Sequence, residues 1–151
     1  MTKSTQAFLS LCLVFCTSHL ALAQSSPVGL WKTVDDDTGH DKSLVRITES
    51  RGILEGRIEA LLDPDDPADA RCEQCTDDRR NQRLLGMVII RGSRQADNKP
   101  GRWDGGEILD PDNGKTYHLK LTLSPDGRKL DVRGYIGTPL FGRTQTWMRS
   151  N

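Results

Sequence analysis

Tyr117, Leu119, Leu121 and Leu123 alternate with His118, Lys120 and Thr122, and that period of two constrains the chain more than any other feature. Side chains on a strand point to opposite faces in turn, so such a run buries one face and wets the other. Leu130, Val132 and Ile136 repeat the pattern against Asp131, Arg133 and Tyr135. Two turn signals punctuate these runs, Asp110-Pro111-Asp112-Asn113-Gly114 and Ser124-Pro125-Asp126-Gly127. Both suit tight hairpins. With Arg102–Leu109 before them and Gly142–Arg149 after, they predict a four-strand antiparallel meander.

The first half follows a looser version of the same rule. Val28–Val34, Ser43–Glu49 and Ile53–Leu62 are separated by polar breaks at 35–39 and 50–52. Leu84–Ile90 is almost wholly apolar and is expected as a strand covered on both faces. No stretch after residue 23 keeps a helical period over three turns. The expectation is an all-β domain of eight strands. Eight twisted antiparallel strands must hide their edges, and short hairpins make a closed up-and-down barrel the simplest solution. A two-sheet sandwich competes, although Greek-key connections would suit it better.

The N-terminal segment differs from the rest. Residues 1–23 carry one charge, Lys3, followed by the apolar run Phe8–Thr17 and the small-x-small site Ala21-Leu22-Ala23. This is the pattern of a cleaved secretory signal, with the mature chain starting near Gln24. A lipid anchor at Cys16 is disfavoured by Phe15, where a small residue belongs. The domain assignment is therefore a signal peptide at 1–23 and one barrel domain at 24–151, periplasmic or secreted. Past the signal, 20 basic residues face 21 acidic ones, which gives no footprint for nucleic acid. No later apolar run is long enough to span a membrane.

Asp63–Arg83 breaks the rhythm of short connections. Its 21 residues hold seven acidic and four basic side chains, two prolines, Cys72 and Cys75. A loop of this length suggests either a solvated insertion or a surface for a protein partner. Cys72-Glu73-Gln74-Cys75 admits several chemistries. Haem attachment needs a histidine where Thr76 stands. A redox pair needs an electropositive helix start, and the acidic flanks oppose that. Zinc needs two more ligands, while His40 and His118 are distant in sequence. A local disulfide is the favoured expectation, since cysteines three apart can reach bonding separation in a tight turn. The acidic clusters at 35–37 and 63–69 do not fit an EF-hand, because Ala68 and Gln74 occupy its glycine and glutamate positions. No hydrolase elbow or phosphate loop is present. The expectation is a non-enzyme with no catalytic residues, no cofactor and no metal.

Several motifs carry a family likeness. Gly29-Leu30-Trp31 resembles the Gly-x-Trp opening of lipocalins, whose tryptophan stacks under an arginine from the last strand at a closed barrel end. That resemblance implies Trp31 and Arg149 as the closing pair, with Arg143 as the other candidate. Leu84-Leu85-Gly86-Met87, Trp103-Asp104-Gly105-Gly106, the 110–117 hairpin, Arg133-Gly134-Tyr135-Ile136-Gly137 and the run 140–147 together resemble a bacterial secreted family known as domain of unknown function 2147. The resemblance covers 28–149 and implies a small lipocalin-like barrel rather than a reaction.

A barrel of eight strands is either filled by side chains or holds one small ligand. The lining expected from the alternation is Trp31, Leu54, Ile58, Val88 and Trp103 from the first five strands. Tyr117, Leu119, Leu121, Val132 and Ile136 would complete it. Val45 and Ile47 join the same face. Arg46, Arg57, Arg133 and Gln145 are the polar side chains that would orient a ligand head if they point inward. Glycines at 56, 86, 105, 106 and 134 either leave room inside or let the sheet bend. The functional expectation is binding of a small apolar or amphipathic molecule. The alternatives are a filled barrel acting as an envelope interaction module, and a redox or metal role for the cysteines.

Overall fold

The computed structural model describes residues 26–151. The expected signal peptide and its cleavage site lie outside the described residues. Eight strands run in chain order: β1 (Gly29–Val34), β2 (Asp41–Ser50), β3 (Ile53–Leu61), β4 (Val88–Gln95), β5 (Arg102–Asp110), β6 (Lys115–Leu123), β7 (Lys129–Tyr135) and β8 (Gly142–Ser150). Each pairs antiparallel with its neighbour, and β8 returns to β1, so the sheet closes into an up-and-down barrel. The closing ladder joins Leu30 to Ser150, Trp31 to Arg149 and Lys32 to Met148. Among the described residues, closure leaves no edge strand to attract another chain.

The alternation sets what is buried. Along β6, Leu119, Leu121 and Leu123 are buried while Thr116, His118 and Thr122 are exposed. Between β2 and β3 the chain reverses at Arg51 and Gly52, both with positive φ (53° and 75°). That pairing matches the right-handed twist of a two-residue hairpin.

Two strand boundaries differ from expectation. Leu84–Met87 is a turn, not the start of β4: Met87 N donates to the Leu84 carbonyl at 3.0 Å and Gly86 N to the Ile58 carbonyl at 2.9 Å. The unbroken apolar run reflects a turn that tucks Leu84 and Met87 against the core, and β4 continues instead to Gln95. Ile136 falls beyond the end of β7, so it is 63% exposed rather than buried on a strand face.

The core is concentrated at one end. Trp31, Val45, Ile47, Leu54, Leu119, Leu121 and Leu130 are fully buried there, with Trp103 at 5% exposure. Arg149 seals this end. Its guanidinium lies 4.2 Å from the Trp31 ring centroid and donates to the carbonyls of Gly127 (2.6 Å), Val28 (2.9 Å) and Ser26 (2.8 Å). A cation over an indole face contributes about 0.5–2 kcal/mol. Trp31 Nε1 donates to Pro27 O at 2.7 Å, so the indole N–H and each guanidinium nitrogen have an acceptor at the seal.

Candidate functional site

At the opposite end the strands diverge around an open cavity of about 560 Å³. Its floor is apolar: Ile58, Ile89, Ile108, Leu109, Val132 and Trp147. Gly134 contributes to the space. A methyl group there would project toward Tyr117 Cβ (3.4 Å) and Ile108 Cγ2 (3.6 Å), so its absence widens the chamber between β5 and β7. One wall carries a hydroxyl pair, Thr33 Oγ1 and Ser43 Oγ, 2.8 Å apart and both buried.

The expected lining divides between the two ends. Ile58, Tyr117 and Val132 face the cavity, and Ile136 stands at its rim. Trp31, Leu54, Trp103, Leu119 and Leu121 do not line it; they fill the closed half, because they lie on the strand segments nearest the seal. Val88 is only partly buried and is also absent from the lining, whereas its neighbour Ile89 faces in. The barrel is thus half filled and half open.

Sequence reasoning missed Ile89, Ile108, Leu109 and Trp147. Irregular register explains Ile89 and Ile108, whereas Leu109 lies an even step from Trp103 and alternation could have found it. The β5–β6 pairing shifts between Trp103 and Gly106, and the β3–β4 pairing shifts near Gly56. Each bulge resets which face a residue takes, so a phase counted from Trp103 misses Ile108. Trp147 keeps phase along β8, opposite Leu130, so the alternation of that strand is the signal that finds it.

The mouth is polar and is made by four connections. From the β1–β2 loop come Asp35 and Asp36, and from the β3–β4 loop comes Asp66. The β5–β6 turn adds Asp110, Pro111, Asp112 and Asn113, and the β7–β8 loop adds Leu140 and Phe141. Lys42 sits among them, bonded to Asp112 and 3.7 Å from Asp35. Burial opposes its charge, but the Asp112 bond and the Asp35 and Asp66 charges outweigh it, so its pKa is raised. Asp35 lies below the usual carboxylate range, held chiefly by the Thr38 backbone N–H and hydroxyl. Asp66 is shifted upward, first by burial and then by repulsion from Asp63.

A hydrogen-bond relay reinforces the rim. Trp147 Nε1 donates to Gln145 Oε1 at 3.1 Å, and Gln145 Nε2 donates to Asp36 at 2.6 Å. Asp36 also pairs with Arg143. Of the four polar candidates, only Gln145 lines the cavity. Arg46 pairs with Glu59 on the outer surface, Arg57 with Glu55 and the Gly86 carbonyl, and Arg133 with the Pro139 carbonyl.

The 63–83 segment is packed against the barrel, not solvated throughout. Cys72 and Cys75 form a disulfide and are 0% and 1% exposed. They join the core cluster beside the β5–β6 turn, with Cys72 Sγ 3.6 Å from the Pro111 carbonyl. Arg79, 1% exposed, anchors the segment from the other side. It forks onto Asp77, donates to the Val88 carbonyl at 3.1 Å, and reaches Thr116 Oγ1 at 3.1 Å. The buried guanidinium therefore has carboxylate, carbonyl and hydroxyl acceptors, the condition under which burying a charge is tolerable.

Residues 29–149 match a family described as "uncharacterized protein conserved in bacteria", domain of unknown function 2147. The chain belongs to this family. Among solved structures, the barrel is similar to HP1028 from the human pathogen Helicobacter pylori, a protein described as belonging to the lipocalin family. The two share 18% identity with a TM-score of 0.72, and the match covers 85% of each chain. At that identity the likeness establishes a lipocalin-like fold for this member of the domain of unknown function 2147 family. No curated protein matches the sequence.

Proposed function

We propose that this barrel is a non-catalytic carrier that binds a small apolar or amphipathic molecule in its open half. The cavity carries this reading: about 560 Å³ with an apolar floor and a polar mouth lies within the range of small-molecule sites. Apolar lining supplies affinity, and a few polar groups at the rim fix orientation. A carrier role without catalysis is supported by how the mouth spends its charges. Lys42, Asp112, Asp36, Arg143 and Gln145 pair with one another instead of converging on a position where a substrate atom would react.

The proposed compartment is the periplasm or the extracellular space. The signal-like N-terminus and a disulfide among the mature residues both suit an oxidising location.

Native mass spectrometry of protein purified from the bacterial envelope, followed by organic extraction, tests the proposal. A bound small molecule at near-equal stoichiometry supports it. Bare polypeptide mass, together with no change in tryptophan emission on titration with lipids and apolar metabolites, overturns it, because Trp147 lies in the cavity wall.

A further inference from the structure

The charges around the mouth do not balance. Five carboxylates, Asp35, Asp36, Asp66, Asp110 and Asp112, line the cavity against two cations, Lys42 and Arg143. Arg143 is taken up by Asp36, and Lys42 is shared between Asp112 and Asp35. Asp110 holds the Asn113 amide and the Asp112 backbone N–H. Asp66 has no cation within ion-pair distance among the described residues; Lys42 attracts it from farther off, but Asp63, Asp112 and Asp65 are also near and repel it. Three negative charges are therefore left over at the mouth of a chamber whose floor is apolar.

We propose that the cavity takes its ligand tail first and holds a cationic head at the mouth, so that the ligand class is a single-chain amine or quaternary ammonium amphiphile. This rests on the carrier function proposed above and specifies which end of the ligand goes where. The tail meets Ile58, Ile89, Val132 and Trp147, and the head lies near Asp66 and Asp110. Phe141 also lines the cavity and is 75% exposed, and an ammonium group is attracted to an aromatic face. A fatty-acid carboxylate would enter the same field with the wrong sign. A metal ion fits less well: among the described residues no three His, Cys, Asp or Glu side chains stand close enough together to hold one. The upward shift of the Asp66 pKa has the same origin, partial burial beside other carboxylates.

The test is a titration of the purified protein with three probes sharing one tail: dodecyltrimethylammonium, dodecanol and dodecanoate, each below its micelle threshold. Calorimetry or tryptophan emission reads the affinity. The ammonium compound is expected to bind about tenfold or more tighter than dodecanoate at low ionic strength, with dodecanol between them. The gap should narrow at about 0.5 M salt, where screening is short-ranged. Asp66→Asn should shrink the ammonium preference by about two- to fivefold and leave dodecanol unchanged. Dodecanoate binding as tightly as the ammonium compound, or a preference indifferent to salt and to Asp66→Asn, overturns the head-group assignment while leaving the carrier function standing. Failure of all three probes to bind overturns the head-group assignment, and the carrier function falls with it when the purified protein also shows bare polypeptide mass and no response to other lipids and apolar metabolites.

Discussion

A methyl group at Gly114 would stand 2.0 Å from the Gln74 carbonyl oxygen, so the β5–β6 turn and the disulfide loop meet backbone to backbone. Gly114 also has φ +68°, a conformation that side chains with a Cβ rarely adopt. Both facts act on one residue, and both concern the segment that positions Asp110, Pro111 and Asp112 at the mouth. Gly114→Ala should cost about 1–3 kcal/mol in a denaturant melt. Hydrogen exchange should rise at 72–75 and at 110–114 together, since one contact serves both.

The disulfide closes a ring so short that it contributes about 2 kcal/mol by chain entropy alone. Cys72→Ser with Cys75→Ser should therefore leave the barrel folded, with the loss confined to protection of the 63–83 segment. Because both sulfurs are buried, a millimolar dithiol should leave the bond intact in the folded protein and cut it within minutes once denaturant opens the loop. Thiol labelling followed by mass spectrometry distinguishes the two states.

Arg149→Met should destabilise by about 2–4 kcal/mol, because it strips the donors from three carbonyls at the sealed end. Arg149→Lys should recover little of this. A lysine is a point charge without the planar fork that reaches Ser26, Val28 and Gly127 at once. Denaturant midpoints of the two variants provide the comparison.

Asp66→Asn should raise stability near pH 7. The folded state lifts the Asp66 pKa above its ordinary 3.8, so ionisation is less favourable folded than unfolded. The sign follows directly: below pH 3.8 the carboxyl is protonated in both states and adds nothing, while above the folded value its charge destabilises the fold. The gain from asparagine should thus appear at neutral pH and fade on acidification through 3.8. Stability gained together with the loss of ammonium preference would mark Asp66 as a residue kept for binding at the expense of stability.

Much of this architecture was legible in the chain. Leu119 and Leu121 alternate with polar neighbours, Pro-Asp-Gly and Asp-Asn-Gly punctuate the hairpins, and the meander follows from those features alone. Cys72 and Cys75 were readable as a pair, but their burial was not, because it depends on Gly114 admitting the Gln74 backbone from 40 residues away. The cavity was only half legible. Tyr117 and Val132 lie in regular ladder, and Ile58 keeps the phase of Leu54 although the register shifts beside it, whereas Ile89 and Ile108 follow bulges that local alternation does not announce. The mouth was hardest to foresee. Asp35, Asp66 and Asp112 come from three connections, and only closure of the barrel brings those to one rim.

The Trp31–Arg149 seal has a kinetic consequence. A tube blocked at one end has a single doorway, so an occupant must back out before a replacement can enter. Exchange would then be limited by the departure rate of the first molecule, and an excess of the second could not push it through. Such a vessel suits custody of a cargo between two encounters better than continuous conduction past a fixed point.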